Sequence, residues 1–218
     1  HFLPEALNGI YRKDGTQPET ACAELRARDP KMAELIAQYD GELLGSHGDP
    51  FVTLARAIVG QQVSVAAADR LWERLTAAVD GVVSPERVWA VEPEALRGAG
   101  LSARKVEYLR DLARHAQEGS LDPERWAGMS DEVIIGALTA VRGIGRWTAE
   151  MFLIFHLLRP DVWPADDLGL RKALVARYGL PAKQPLAAWR SAGERFRPWR
   201  TVATWYLWRS LDPVAVAY

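Results

Sequence analysis

The chain has 218 residues, of which 49% are hydrophobic, and a formal net charge of −1. This length and apolar fraction allow a sizeable core, in one domain or in two small lobes. The single cysteine, Cys22, excludes an internal disulfide and any cysteine-rich zinc or iron–sulfur site. No run is long and apolar enough to span a bilayer, and no signal peptide is visible, so we expect a soluble, intracellular protein.

The charge is polarised along the chain, although its total is close to zero. Residues 14–42 are rich in acidic side chains, whereas residues 190–209 carry five arginines against one glutamate. A net charge of −1 argues against a strongly basic nucleic-acid-binding protein, but this distribution still allows one basic face. The alternative is that these arginines only solvate the surface of a helix.

Capping residues followed by proline mark several helix starts, at Asp29-Pro30, Asp49-Pro50, Ser84-Pro85 and Asp122-Pro123. No alternating Val/Ile/Thr segments bounded by turns occur, so the sequence predicts an all-α fold. Residues 1–17 lack periodicity and are loosely specified. The predicted helices are 18–28, 30–39, 50–59, 62–79, 85–91, 93–98, 103–118, 130–141, 146–158, 167–178, 185–195 and 198–210.

Two of these helices flank a Gly-Ile-Gly turn, which predicts a helical hairpin. Ser130 is a good N-cap for the first helix, and Gly143 and Gly145 bracket Ile144 at its end. The start of the second helix exposes backbone N–H groups that can bind one phosphate, and Arg142 and Arg146 flank it with positive charge. Because Gly-x-Gly is a common turn, a purely structural hairpin is the alternative.

Two adjacent carboxylates, Asp166 and Asp167, follow the second helix of this hairpin. They stand where helix 167–178 begins. Aspartate is a common N-cap, so a purely structural role in capping that helix is one interpretation. A catalytic carboxylate is the other.

These parts, in this order, resemble the helix-hairpin-helix DNA glycosylase superfamily, and within it the 3-methyladenine DNA glycosylase II family. The resemblance covers roughly residues 45–210. The matching stretches are Arg56-Ala57-Ile58-Val59-Gly60-Gln61-Gln62-Val63-Ser64, Arg142-Gly143-Ile144-Gly145-Arg146-Trp147-Thr148-Ala149, Asp161-Val162-Trp163, Pro164-Ala165-Asp166-Asp167 and Pro198-Trp199-Arg200.

The resemblance implies a two-lobed helical fold with the active-site cleft between the lobes. Residues 46–160 are expected to form the lobe that ends in the hairpin, and residues 161–218 the C-terminal lobe. Residues 1–45 are expected to pack with the C-terminal lobe. The family often carries an additional N-terminal β-rich domain, for which this chain is too short.

The resemblance places the catalytic role on Asp167, with Asp166 as the fallback if the register is off by one. Hydrolysis of an N-glycosidic bond builds oxocarbenium character on the sugar, which a carboxylate stabilises; it can also orient the attacking water. Relatives that also cleave the strand use a lysine where this chain has Trp147. Lys172 and Lys183 do not match that position, so no lyase activity is expected.

For the base pocket, the resemblance favours Trp147 and Trp208 as walls, with Met151 one turn after Trp147. Aromatic faces attract electron-poor or cationic alkylated purines. The chain has nine tryptophans, and most of them are expected to lie in the core.

Gln62 falls on the position from which this family inserts a side chain into the gap left by the flipped base. The alternative is that Gln61 and Gln62 only open helix 62–79. The expected DNA contacts at the hairpin are Arg142, Gly143, Ile144, Gly145, Arg146 and Thr148.

Hairpins of this family commonly hold a monovalent cation, Na⁺ or K⁺, through backbone carbonyls, which here match Thr139, Val141 and Gly143. No other cofactor is expected. The histidines His47, His115 and His156 are scattered and suggest no transition-metal site.

The leading interpretation is a monomeric, monofunctional DNA glycosylase that flips alkylated purines out of double-stranded DNA and excises them in base excision repair. It would act in a bacterial nucleoid, or in a eukaryotic nucleus. The alternatives are a non-catalytic DNA-binding module and a helical interaction protein. The sequence does not rank 3-methyladenine, 7-methylguanine, hypoxanthine, ethenoadenine and 1-methyladenine as substrates.

Overall fold

The computed structural model describes residues 18–39 and 48–211, and every regular element in those ranges is a helix. The predicted all-α fold is therefore confirmed. The remaining residues, including 1–17, lie outside the described part. In chain order the helices are α1 (Pro18–Arg28), α2 (Pro30–Gln38), α3 (Pro50–Gly60), α4 (Val65–Ala78), α5 (Pro85–Ala90), α6 (Pro93–Gly98), α7 (Ala103–Gln117), α8 (Pro123–Trp126), α9 (Asp131–Thr139), α10 (Arg146–Phe155), α11 (Leu168–Tyr178), α12 (Leu186–Ala192), a 3-10 turn (Glu194–Phe196) and α13 (Arg200–Arg209).

The four predicted cap-plus-proline starts form as expected. Asp29, Asp49, Ser84 and Asp122 each accept a hydrogen bond from a backbone N–H in the first turn of the helix that follows. Proline is tolerated directly after the cap, because its missing N–H would have no partner inside the helix. These signals are local, because each cap bonds to an N–H group two or three residues ahead.

Several helix ends differ from the prediction by one to three residues, and α8 was not among the predicted helices. Two of the largest differences fall at residues with a positive φ. Helix α4 begins at Val65 rather than at residue 62, because Ser64 is its N-cap and Gln62 has a positive φ of 58°. Helix α10 ends at Phe155 rather than at residue 158, and Leu158 also has a φ of 58°. A left-handed residue cannot continue a right-handed helix, so the chain turns at both points.

The chain divides into two compact units, residues 1–47 with 153–218, and residues 48–152. The prediction from the sequence placed the corresponding boundaries after residues 45 and 160. Helix α10 contributes residues to both units.

In the first unit, α1, α2 and α11 pack against α13. The shared core contains large aromatic side chains, among them Trp163, Trp189, Phe196, Trp199 and Tyr206. Burying a large apolar side chain contributes about 1.5–3 kcal/mol. The C-terminal helix is therefore held firmly, which matters because it carries Trp208.

In the second unit, α7 packs against α3 and α5. Its buried face carries Val106, Leu109, Leu112 and Ala113 at helical spacing. Other positions on the same helix carry polar side chains that bond to the hairpin, as described below. Among the helices of the described residues, none is long and apolar enough to cross a membrane.

Candidate nucleic-acid interface and catalytic carboxylate

The predicted hairpin forms within the second unit, between α9 and α10. Its first intrahelical bond in α10 runs from the Ala149 N–H to the Gly145 carbonyl, at 3.0 Å. Helix α10 begins at Arg146, and backbone N–H groups in the first turn of a helix point out of its N-terminal end. Together with the helix dipole they form an N-terminal site suited to a phosphate.

The two glycines of the hairpin are present for different reasons. Gly143 has a φ of +84°, and a Cβ there would lie 2.3 Å from a ring carbon of Tyr108. Both the backbone conformation and the close packing therefore require glycine. At Gly145 the backbone is not left-handed, and nothing lies within 4 Å of an added Cβ. A positive φ therefore explains the glycine at position 143 but not the one at position 145.

The side chain of Asp111 on α7 holds the hairpin in place. Its Oδ2 accepts the backbone N–H of Arg142 at 2.9 Å, and its Oδ1 accepts from the Arg114 guanidinium at 2.8 Å. Burial alone would raise the pKa of Asp111, but these two donors outweigh it and hold the pKa below its ordinary value. The carboxylate is therefore a charged structural anchor.

The arginines beside the hairpin are paired with glutamates. Arg142 forms an ion pair with Glu107, and Arg146 forms a bidentate pair with Glu132, with the shorter distance at 2.5 Å. The Nε of Arg146 also donates to Glu150, which is 4% exposed, at 3.0 Å. Two arginines thus face three glutamates, so the predicted positive flank is neutralised. A phosphate bound at this site would therefore depend on the backbone N–H groups of α10.

Gln62 lies in the turn between α3 and α4, outside both helices. Its side chain is exposed, as are Val63 and Val65, the latter 80% exposed. The interpretation in which Gln61 and Gln62 open helix α4 is wrong, since that helix begins at Val65. The role of Gln62 as the inserted side chain stays a prediction, now on an exposed turn.

Asp167 lies in the first unit as the N-cap of α11. Its Oδ1 accepts the Leu170 N–H at 2.6 Å and the indole Nε1–H of Trp208 at 2.8 Å. Asp166, its neighbour, is exposed and forms an ion pair with Arg171 at 2.7 Å. The two carboxylates are therefore distinct, because Asp167 is oriented by two N–H donors and Asp166 is paired with a cation.

Two of the matched sequence motifs contact each other directly, and together they fix the loop that leads to Asp167. Arg200 at the start of α13 forms a bidentate pair with Asp161, with bonds of 2.8 and 3.0 Å. The hydroxyl of Thr201 donates to the Arg159 carbonyl at 2.5 Å and accepts the Val162 N–H at 2.9 Å. The same helix carries Trp208, so α13 positions both the approach to Asp167 and its indole partner.

The predicted pocket residues fall in different units. Trp208 belongs to the first unit, where its ring stacks on Phe155 with centroids 5.8 Å apart and planes 7° from parallel. Trp147, 43% exposed, and Met151, half-buried, lie on α10 within residues 48–152. Thr148, in the first turn of the same helix, is also half-buried. The pairing of Trp208 with Asp167 is the direct contact that the structure adds.

Sequence reasoning missed several residues of this site. Tyr108 and Asp111 lie one turn apart on α7, and nothing in their local pattern separates them from an ordinary helix surface. Phe155 is one of several apolar residues of α10, and nothing in that pattern distinguishes it from its neighbours. In the described ranges no group of three or more His, Cys, Asp or Glu side chains could hold a metal ion.

The chain is similar to known DNA repair proteins. It is 32% identical over 198 residues to DNA-3-methyladenine glycosylase 1 of Schizosaccharomyces pombe, which covers 89% of this chain and 87% of that protein. The crystal structure of a DNA-3-methyladenine glycosidase from Bacillus halodurans has a TM-score of 0.74 and 35% identity, covering 84% of this chain and 90% of the other. The S. pombe 3-methyladenine DNA glycosylase in complex with abasic DNA has a TM-score of 0.73 and 32% identity, covering 90% of this chain and all of the other.

A family profile described as HhH-GPD superfamily base excision DNA repair protein matches residues 55–198. This range contains the Gln62 turn, the hairpin and Asp167, and it confirms the resemblance seen in the sequence. The chain therefore belongs to the HhH-GPD superfamily of base excision DNA repair proteins.

Proposed function

We propose that this protein is a monofunctional DNA glycosylase that excises alkylated purines from double-stranded DNA. It would hydrolyse the bond between the purine and C1′ of the sugar, leaving an abasic site in an intact strand. The observation that carries the proposal is the carboxylate of Asp167, oriented by the Leu170 N–H and the Trp208 indole at the start of α11. The names of the S. pombe and B. halodurans relatives support the substrate class.

The chemistry follows from the position of this carboxylate. As the glycosidic bond breaks, electrons leave with the base and positive charge develops on the sugar. A fixed carboxylate stabilises that charge and orients the water that adds at C1′. Two N–H donors on Oδ1 hold the group in place, so little reorganisation is needed during the reaction.

The aromatic residues support a preference for cationic or electron-poor bases. Trp208 is a rigid surface backed by Phe155, and Trp147 presents a partly exposed indole. Aromatic faces attract such purines through their quadrupole and by stacking. The two indoles therefore favour cationic or electron-poor purines.

Recognition of the backbone phosphate is assigned to the N–H groups at the start of α10. Neutralisation of Arg142 and Arg146 by glutamates leaves these amides as the main attraction. Phosphate contacts of this kind position a protein without reading sequence, as a repair enzyme requires. The related S. pombe structure, which is in complex with abasic DNA, supports DNA as the partner.

A monovalent cation at the hairpin would be held by the carbonyls of Thr139, Val141 and Gly143. The Gly143 carbonyl accepts the Gln61 amide at 2.7 Å, and the Val141 carbonyl accepts the Ile144 N–H at 3.2 Å. A carbonyl oxygen has two lone pairs, so these bonds leave the donor set compatible with Na⁺ or K⁺. The ion would add positive charge beside the phosphate.

Strand cleavage through a lysine Schiff base is not part of the proposal. The family's lyase position holds Trp147, which has no amine. Of the lysines in residues 18–39 and 48–211, Lys31 and Lys105 donate to the Arg177 and Val59 carbonyls, and Lys172 and Lys183 are exposed on the surface.

The test is a panel of duplexes that each carry one modified base: 3-methyladenine, 7-methylguanine, hypoxanthine, ethenoadenine or 1-methyladenine. Released base is quantified by chromatography, and strand breaks are counted before and after hot alkali. We expect release of alkylated purines, with breaks only after alkali. Tight DNA binding without release from any duplex would instead indicate a non-catalytic DNA-binding module.

A further inference from the structure

Gln61, the residue before the predicted inserted side chain, is bonded to the hairpin. Its side-chain Nε2 donates to the Gly143 carbonyl at 2.7 Å, across 82 positions of sequence. Gln61 is half-buried, whereas Gln62 next to it is exposed. The same short turn therefore has one side chain directed into the protein and one directed outward.

Helix α7 holds both ends of this bond in place. On the hairpin side, Tyr108 packs against the α-carbon of Gly143, and Asp111 accepts the Arg142 N–H. On the turn side, the Nζ of Lys105 donates to the Val59 carbonyl, near the end of α3, at 2.6 Å. Burial lowers the pKa of Lys105 from its ordinary value. The turn and the hairpin are therefore connected in two ways: through contacts that both make with α7, and directly through the Gln61–Gly143 bond.

The backbone of Gln62 needs such support. Its φ of 58° is sparsely populated by residues other than glycine, and it persists only where neighbouring contacts determine it. Ser64 fixes the turn on one side by capping α4. The amide bond of Gln61 fixes it on the other side.

We propose that Gln61 is a positioning residue that couples the turn carrying Gln62 to the phosphate-binding hairpin. The bond keeps a fixed spacing between the amides that hold a phosphate and the side chain that fills the gap in the base stack. Gln61 itself touches neither the base nor the sugar. The inference rests on the proposed function, since it assigns DNA contacts to Gln62 and to the start of α10.

The experiment uses Gln61→Met, which keeps the length of the side chain and removes the donor. Affinity is measured for an undamaged duplex and for one with a tetrahydrofuran abasic analogue opposite 2-aminopurine. We expect the preference for the abasic duplex to fall roughly 3- to 10-fold, the range of one intramolecular hydrogen bond. Affinity for undamaged DNA should stay within about twofold of wild type, because only phosphate contacts contribute to it.

The emission of 2-aminopurine reports insertion directly, since unstacking of that base raises its fluorescence. With saturating protein, Gln61→Met should give a smaller rise than wild type. The control Gln117→Met makes the same chemical change at an exposed position at the end of α7, and it should behave as wild type.

A double-mutant cycle with Gln62→Ala separates positioning from a merely structural role. If Gln61 acts through Gln62, Gln61→Met has less than about a twofold further effect in the Gln62→Ala background. Additive losses, or an equal loss of affinity for both duplexes, would overturn the proposal. So would a Gln62→Ala variant with normal emission. If Gln61→Met does not fold, the experiment uses Gln61→Asn instead. Asparagine keeps the amide, but its side chain is too short to reach the Gly143 carbonyl.

The abasic analogue is not hydrolysed, so the cycle does not depend on which base is excised. Wild-type protein that shows the cycle but releases no modified base would contradict the proposed function and leave the positioning role standing.

Discussion

The indole N–H of Trp208 donates a hydrogen bond to Oδ1 of Asp167, at 2.8 Å. The same oxygen accepts the Leu170 N–H, and a Cβ added at Gly169 would lie 3.1 Å from it. The proposed catalytic carboxylate is thus closely surrounded by residues of its own unit. Trp208 therefore orients the carboxylate as well as offering an aromatic surface.

Asp167→Asn should abolish most of the excision. The amide keeps the size of the side chain and can still cap α11, so folding should change little. It removes the negative charge opposite the developing oxocarbenium ion, which costs on the order of 100-fold or more. Single-turnover excision of 7-methylguanine measures the loss, and a neutral alkylated base, a poorer leaving group, should suffer more.

The control for that variant is Asp166→Asn, which removes the exposed partner of Arg171. It should excise at close to the wild-type rate. If Asp166→Asn loses activity and Asp167→Asn does not, the assignment is off by one residue. Normal excision by both variants would contradict the catalytic assignment.

Trp208→Phe separates stacking from hydrogen bonding. Phenylalanine keeps an aromatic face but cannot donate to Asp167. A hydrogen bond to a charged group is worth about 1.5–3 kcal/mol, so we expect excision roughly 10- to 100-fold slower, with affinity for an abasic duplex unchanged. Trp205→Phe, the same change on the same helix, should leave excision near wild type. Equal rates for Trp208→Phe and wild type would show that the indole acts by stacking alone.

Gly143→Ala and Gly145→Ala should behave differently. At Gly143 the methyl group meets the Tyr108 ring and the backbone has a positive φ, which together cost about 2–5 kcal/mol. The midpoint temperature of thermal unfolding should fall by roughly 5–15 °C for a chain of this size.

At Gly145 the space is open, so Gly145→Ala should leave the midpoint temperature of unfolding unchanged. Its affinity for DNA should fall, because the methyl group lies beside the amides proposed to bind a phosphate. Unchanged affinity of the folded Gly145→Ala protein would contradict the phosphate role.

Asp111 should make stability depend on acid pH. Its folded-state pKa lies below the ordinary value of 3.8, so the unfolded state binds the proton more readily. The stabilisation is therefore fully present above that value and is lost as pH falls through the lower, folded-state pKa. Free energies of unfolding between pH 7 and pH 2 should show a wild-type advantage over Asp111→Asn that shrinks as the solution becomes more acidic. A constant difference would mean that the charge of Asp111 does not matter.

Much of the helical framework follows from the sequence alone. Asp29, Asp49, Ser84, Asp122, Ser130 and Asp167 each cap the helix they were expected to begin. These signals are local, since a capping side chain bonds to an N–H two or three residues ahead. The hairpin and its superfamily could be recognised for the same reason, because the motif is contiguous.

The tertiary structure alone decided which side chains serve those motifs. Asp167 and Trp208 are 41 positions apart, Asp161 and Arg200 are 39 apart, and Gln61 and Gly143 are 82 apart. It also paired Arg142 with Glu107, which removed the positive flank expected from the sequence. Each of these partners depends on how separate helices pack, and no periodicity or spacing within one helix specifies that. Local capping chemistry therefore determined the elements, whereas packing between them determined the orientation and charge of the groups proposed to act on DNA.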